Sequence, residues 1–296
     1  MRVSTSMIFQ SGLQSLQRQQ SGMMEAQTDI ATGKKLRTAD VDPVAFGQAS
    51  QLSEQQGRID QYLRNNERAT GKIEAQETRL SASTDILQRV RDIAIQANNG
   101  INDDSSRAAL SSELEQLRDA LAEQANAKDE RGEYVFSGTE AGQVPYAGSD
   151  WDDQLDPGNP GVKLSVAENQ QVTTNRVASD IFTLGDGRSA MKAIDELREA
   201  IDADDSTFYG PGQQSIDEAL DRVTNAQGDM GADMRTLERL RDDQNAWKLA
   251  NEEAVSKLRD TDIAEAVTRL NQNYLSLQAT QQSMVKTQQL SLFNNI

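Results

Sequence analysis

Every seventh residue from Leu52 onward belongs to one helical face: Leu52, Ile59, Asn66, Ile73, Leu80, Leu87 and Ala94. A repeat of seven sustained over this length keeps one side of a helix in register, and a strand cannot use it because its side chains alternate at every second residue. No proline interrupts the run, and the glycines near it are Gly47, Gly57 and Gly71. The spacing predicts one helix over about residues 44–99, on the order of 80 Å long if unbroken, at about 1.5 Å per residue. Asn99-Gly100 then turns the chain into a third helix over about 105–128, carrying Leu110, Leu114, Leu117 and Leu121.

The five prolines fall at 43, 145, 157, 160 and 211, and three of them sit among Gly138, Gly142, Gly148, Gly158 and Gly161. Proline and glycine punctuate helices, so the chain divides into a helical first part, a broken middle and a helical last part. In the middle, Val162, Leu164 and Val166 alternate with polar residues, and Tyr134-Val135-Phe136 and Ile181-Phe182 are further strand-like pieces. The expected organisation is a small β-rich insert over 132–188. Helices resume at 189–202, Gly210-Pro211-Gly212 is read as a turn, and a long helix follows over about 215–257.

The two ends share an unusual stripe. Phe9, Leu13, Leu16, Gln20, Met23, Gln27 and Ile30 alternate four and three apart, as do Ile263, Val267, Leu270, Tyr274, Leu277, Gln281 and Met284. Such spacing holds one helical face, yet glutamine interrupts it in both helices. After Glu265 the chain has no acidic residue, and its only basic ones are Arg269 and Lys286, although the formal net charge is −17. A lone surface helix would carry more charge; a glutamine-rich helix with an apolar stripe suits a place among other helices. These stripes fit either an internal core or packing between subunits.

Composition narrows the function. Hydrophobic residues make up 36% and aromatic residues 4%, lean for one thick core. The acidic balance disfavours nucleic acid, whose phosphates call for clustered Lys and Arg. With no Cys and no His, no disulfide, thiolate nucleophile, imidazole base or imidazole metal ligand is available. No cofactor or metal site is expected. No signal peptide and no span of about 20 apolar residues is found, so no membrane insertion is expected. Gly185-Asp186-Gly187-Arg188-Ser189-Ala190 matches a dinucleotide pattern but lacks surrounding βαβ units, so Asp186 or Ser189 is read as a helix cap. Asp202-Ala203-Asp204-Asp205 lacks the Gly and Glu of a calcium loop, and Asp150, Asp152 and Asp153 are read as exposed surface.

Several short segments carry a resemblance. Arg2-Val3-Ser4-Thr5, Ala31-Thr32-Gly33-Lys34-Lys35 and Asp42-Pro43-Val44-Ala45 stand near one end; Gly231-Ala232-Asp233-Met234-Arg235-Thr236-Leu237 and Ser256 through Glu265 stand near the other. In this order they resemble the bacterial flagellin family, with its ATGK-like break, DDPV-like turn and SRIRDADMAxE-like segment. Gly132 through Gly138, Val162 through Phe182 with Asn175, and the ending Ser291-Leu292-Phe293-Asn294-Asn295-Ile296 resemble most the type 3 hook-associated branch of that family, whose members join hook to filament.

The resemblance implies a mainly α fold, with long terminal helices in an elongated antiparallel coiled coil or bundle and a small β-rich inserted domain. It implies three regions: a polymer core of residues 1–43 with 258–296, a helical bundle of 44–131 with 189–257, and an outer domain of 132–188. The subunit-packing residues it implies are Leu13, Leu16, Met23, Ile30, Ile263, Val267, Leu270, Tyr274, Leu277, Met284 and Leu292. Partners would be further copies in a ring, a neighbouring hook-associated protein, flagellin, and an export chaperone at the C-terminal region. The location would be the extracellular flagellum, reached by flagellar type III export without a cleaved signal peptide. No catalysis is implied. Alternatives are a filament flagellin, or a coiled-coil protein of another secretion or adhesion system.

Overall fold

The structure is a computed structural model that describes residues 2–98, 103–140, 142–146 and 160–293, without the side chains of 2–6, 8–9 and 287–293. Its elements run α1 (Arg2–Thr32), α2 (Pro43–Asn98), α3 (Asp104–Ala125), β1 (Val162–Ala167), β2 (Gln170–Asn175), α4 (Ala178–Phe182), α5 (Ala190–Asp202), α6 (Ser206–Arg259) and α7 (Ile263–Phe293). Two compact units result. One joins Met1–Arg58 to Trp247–Ile296, and the other is Ile59–Ala246. The fold is mainly α with a small antiparallel sheet, as expected.

The heptad repeat is the spine of the second unit. Ile59, Asn66, Ile73, Leu80, Leu87 and Ala94 are all buried. Asn66 earns its place on that face by donating from Nδ2 to the Leu237 carbonyl at 2.8 Å, which satisfies a carbonyl of α6. Around the spine lie Leu114 and Leu121 of α3, Met191, Ile194 and Leu197 of α5, and Ile216, Val223 and Met230 of α6, in one apolar cluster.

The middle segment contributes to that same cluster through Phe136, Tyr146, Val166, Val172, Ile181 and Phe182. Its sheet is one hairpin, β1 against β2, with register shifts on either side of Lys163–Ser165. Two strand-like pieces are corrected. Tyr134-Val135-Phe136 makes only a single bridge, Lys128 to Tyr134, because the Asp129 carboxylate folds residues 129–133 into a tight turn by accepting from Arg131 N and Glu133 N. Ile181-Phe182 ends the short helix α4, whose i, i+3, i+4 spacing turns Ala178, Ile181 and Phe182 inward together. Phe182 then meets Phe136 edge to face, with ring centroids 6.1 Å apart.

The expected turn at Gly210-Pro211-Gly212 is also corrected, since α6 runs through it from Ser206. Pro211 is near the helix start, where its missing N–H costs one intrahelical bond, and the buried Tyr209 and Ile216 on either side hold the turns in place. Asp205 caps this helix, accepting from Thr207 N at 3.1 Å. Ser189, not Asp186, caps α5, accepting from Lys192 N at 3.1 Å. Asp186 instead binds Arg188, whose guanidinium and backbone N–H hold its carboxyl below the usual carboxylate range. The Asn99-Gly100 turn and the Asp150, Asp152 and Asp153 cluster lie outside the described residues.

One polar side chain ties the middle segment to the spine. Gln76 is buried on α2, and the two N–H groups of its Nε2 are shared among the Val135 carbonyl at 2.7 Å, the Arg176 carbonyl at 3.1 Å and Asn175 Oδ1 at 3.2 Å. Asn175 in turn donates from Nδ2 to the Gly138 carbonyl at 2.8 Å. Replacing Gln76 by Leu keeps the volume and strands these acceptors without a donor. At about 1–3 kcal/mol for each unmet buried group, Gln76→Leu is expected to cost roughly 3 kcal/mol in urea unfolding of the full chain, and a loss under 1 kcal/mol would contradict this role.

Candidate functional site: the terminal helix pair

In the first unit, α1 and α7 pack along each other. They run antiparallel. Gly22 lies against Asn273, Asp29 against Arg269, and Lys34 bridges Asp260, so positions ascend on one helix as they descend on the other. The seam is built from small residues. Ala26 and Ala266 are buried, and a Cβ added at Gly22 would lie 3.0 Å from Asn273 Nδ2. Gly22, Ala26 and Asp29 are spaced four and three apart, and Ala266, Asn273 and Leu277 continue the matching face of α7.

The stripe seen in the sequence therefore coincides with the seam only in part. On α1 it passes through Met23, Gln27 and Ile30, each one residue beyond Gly22, Ala26 and Asp29. On α7 it passes through Val267 and Tyr274, each one residue beyond Ala266 and Asn273. One residue is about 100° around an α-helix, so Val267 and Tyr274 turn away from the seam, whereas Leu270, Leu277 and Met284, standing four, eleven and eighteen residues after Ala266, stay within about 40° of it. Leu13 remains 43% exposed, Ile263 48%, Val267 40% and Tyr274 51%. Leu16, Met23, Ile30, Leu270 and Met284 are half-buried, and Leu277, which belongs to both faces, is nearly covered. The side chain of Leu292 lies outside the described ones.

Below the pair, the two connections meet as a backbone clasp. Lys35 N and Leu36 N both donate to the Arg259 carbonyl, at 2.8 and 3.3 Å, and Thr261 N donates to the Gly33 carbonyl at 2.9 Å. Lys35 Nζ adds a bond to the Lys257 carbonyl at 2.9 Å. Gly33 has φ +68°, the left-handed conformation that stops α1 and that a side chain would strain. Asp29 is 2% exposed and joins the clasp to the helices: it pairs with Arg37 of the connection and, at 3.7 Å, with Arg269 of α7.

Local chemistry explains the motifs at the clasp. Asp42 Oδ1 accepts from Val44 N and Ala45 N at 3.0 Å, so Asp42-Pro43 is an N-cap followed by a first-turn proline. Asp262 Oδ1 does the same for α7, accepting from Ala264 N at 2.9 Å and Glu265 N at 3.2 Å. Sequence reasoning missed Gly22, Ala26, Asp29, Ala266 and Asn273. Their signal is present as small residues at helical spacing beside the apolar stripe, but small residues score low on any hydrophobic pattern.

Among the described residues, no His, Cys, Asp or Glu cluster could hold a metal, and no helix is long and apolar enough to cross a membrane. A surface groove of about 620 Å³ in the second unit is lined by Gly71, Ala75, Lys72, Tyr134 and the turn 128–133. Along it Lys72 pairs with Glu133 and Arg131 with Asp129, and Lys128 sits over the Tyr134 ring.

A chain whose two ends form one helical pair, with apolar residues left over on both helices, belongs to the class of long-helix structural proteins. Residues 3–141 match the bacterial flagellin N-terminal helical region and residues 213–295 the C-terminal helical region, together three quarters of the chain. The chain belongs to the bacterial flagellin family. It is 27% identical to flagellar hook-associated protein 3 of Escherichia coli over 99% of both chains. It is also 24% identical to a flagellin of Listeria monocytogenes over 96% of this chain and 94% of that one. Among solved structures, a flagellar hook-associated protein-3 of Legionella pneumophila shares the fold, with a TM-score of 0.66 at 16% identity over 71% of this chain and 98% of that one.

The small-residue seam makes a direct prediction. Ala26→Leu inserts three carbons at a buried position of α1, and overpacking of this kind costs about 1–3 kcal/mol. Amide exchange in residues 22–32 and 263–277 is expected to accelerate about tenfold or more, with exchange in 59–246 unchanged. Unaltered exchange in the terminal pair would show that Ala26 is not in the seam.

Proposed function

We propose that the chain is a structural subunit of the bacterial flagellum that joins the hook to the filament. The observation that carries this reading is the end-to-end similarity to a type 3 hook-associated protein, middle segment included. The terminal pair supports it physically. Leu13, Leu16, Met23 and Ile30 on α1, with Ile263, Val267, Leu270, Tyr274 and Met284 on α7, supply the surface on which neighbouring subunits pack, while Leu277 is largely covered within the pair. Glutamines on the same faces hydrogen-bond across such seams without the desolvation cost of charges.

In this reading, copies of the chain form a ring between another hook-associated protein and flagellin. The subunit leaves the cell through the flagellar export apparatus without a cleaved signal peptide and works outside it. A chaperone covers the C-terminal apolar face before export. The role is assembly, with no catalysis and no cofactor. The second reading, a filament flagellin, is favoured by the Listeria flagellin match, which also spans nearly the whole chain.

Purified protein added to hook ends and viewed by electron microscopy separates the two. A junction subunit adds a short, self-limiting segment on which flagellin then grows; continuous extension by this chain alone would favour the flagellin reading. Val267→Asp and Leu13→Asp place a carboxylate at positions exposed in the monomer. Monomer melting is expected to stay within about 0.5 kcal/mol of wild type. Incorporation is expected to fall at least tenfold, because an unpaired carboxylate buried between subunits costs several kcal/mol. Normal incorporation of Val267→Asp would remove α7 from the packing surface.

A further inference from the structure

On α7 the seam and the apolar stripe are not centred on the same line. The stripe of Ile263, Val267, Leu270, Tyr274, Leu277, Gln281 and Met284 is centred about 50° around the helix from Ala266. Apolar burial alone would turn the middle of that stripe toward α1, because a helix seats its apolar face on its neighbour. The pair does otherwise. Ala266 is buried and Asn273 half-buried, whereas Val267 and Tyr274 stay 40% and 51% exposed. Leu270 and Leu277 lie between the two orientations, so both meet α1 in either one and do not choose between them. The choice falls to Asn273 and Tyr274, which are neighbours in the chain. Opposite Asn273 stands Gly22. A Cβ added there would lie 3.0 Å from Asn273 Nδ2, 3.6 Å from its Cγ and 3.8 Å from its Oδ1, so the amide group fills the space that a side chain at 22 would take. A glycine admits such a close approach, and a tyrosine ring is much larger than an amide.

We infer that Asn273 is a positioning residue. Seated on Gly22, it sets the rotation of α7 about its own axis and so keeps Val267 and Tyr274 outside for the neighbouring subunit. The inference rests on the assembly reading above. The clasp joins the chain just before α7 starts, and Asn273 stands ten residues beyond that start, where side chains decide which face meets α1. One polar residue in an otherwise apolar helix seam gives up some stability and specifies one arrangement. The Arg269 contact with Asp29, at 3.7 Å, favours the same rotation, but Asp29 keeps Arg37 without it. The knob of Asn273 and the hole at Gly22 therefore hold the pair off the centre of its own apolar stripe. The apolar area left over is what a further helix can cover.

The chain has no cysteine, so a single introduced thiol reports one position. Full-length Ala266→Cys and Val267→Cys proteins are alkylated with iodoacetamide. The thiol at 267 is expected to react about tenfold or more faster than the one at 266. Asn273→Ala removes the knob and Gly22→Asn fills the hole. In either background the thiol at 267 is expected to slow about fivefold or more while the one at 266 speeds up. Mere loosening of the pair would speed both. Gly22→Asn combined with Asn273→Gly exchanges knob and hole at constant volume and is expected to return both rates to within about twofold. Without the reporter cysteines, Asn273→Ala is expected to add to hook ends about tenfold less well, and the exchanged pair to recover. No slowing at 267 in either single variant, no recovery in the exchanged pair, or normal addition of Asn273→Ala would each overturn the inference. Failure of wild type to add to hook ends would instead overturn the assembly reading, and the alkylation rates, which need no hooks, tell the two failures apart.

Discussion

The packing of α1 on α7 through small residues at Gly22, Ala26 and Ala266 sets the geometry on which the terminal pair depends. Small residues let helices come close, but they bury little apolar area and so contribute little hydrophobic stabilisation. The clasp offsets this. By joining residues 33–36 to 259–261 through the backbone, it fixes where α1 ends relative to where α7 starts. Asp29 then adds an ionic link from the seam to Arg37 and Arg269. A buried carboxylate left unpaired would cost several kcal/mol, so the pair is stable in a register that brings both arginines to it. Because the seam uses one face, Leu13, Ile263, Val267 and Tyr274 are left exposed beside it.

That arrangement clarifies what the sequence conveyed and what it did not. The heptad from Leu52 to Ala94 was legible because seven-fold spacing and burial report the same thing, and even Asn66 kept its position by bonding a carbonyl of α6. The cap of α5 was legible for a similar reason: Ser189, one of the two residues read as its cap, acts on an N–H group three residues away, within the reach of a local motif, and Asp42 and Asp262 act the same way on α2 and α7. The conformations of 134–136, 178–182 and 210–212 were not legible. Each depends on contacts outside its own residues, the Asp129 turn and Gln76 for the first, Phe136 for the second and the core around Ile216 for the third. Periodicity alone gives an apolar piece as a strand or a helix with equal ease when it is only three to five residues long.

The candidate site was legible in one respect and hidden in another. The stripes of Leu13 through Ile30 and Ile263 through Met284 do lie on single helical faces, but sequence spacing says nothing about which neighbour a face meets. The actual contact was written in glycine and alanine at the same spacing, which hydrophobicity overlooks. The flagellin-like motifs at the two ends, far apart in the chain, turned out to be one structural object, since the Ala31–Lys35 break and the Arg259–Asp262 break bond to each other.

Charge placement follows from the same division of faces. The chain carries −17 overall, yet α7 after Glu265 keeps only Arg269 and Lys286. Arg269 reaches Asp29, so its charge is met within the pair. An open face that is to be covered by other helices must give up its water, and each ion on it would lose hydration worth several kcal/mol before gaining a partner. A glutamine loses far less and can both donate and accept. The acidic residues stand instead where water remains, as at Asp202, Asp204 and Asp205, which are exposed. An acidic protein can thus repel its copies across most of its surface and still leave one nearly neutral stripe on which they can meet. The electrostatics then select which faces pack, even though the small-residue seam decides where those faces point.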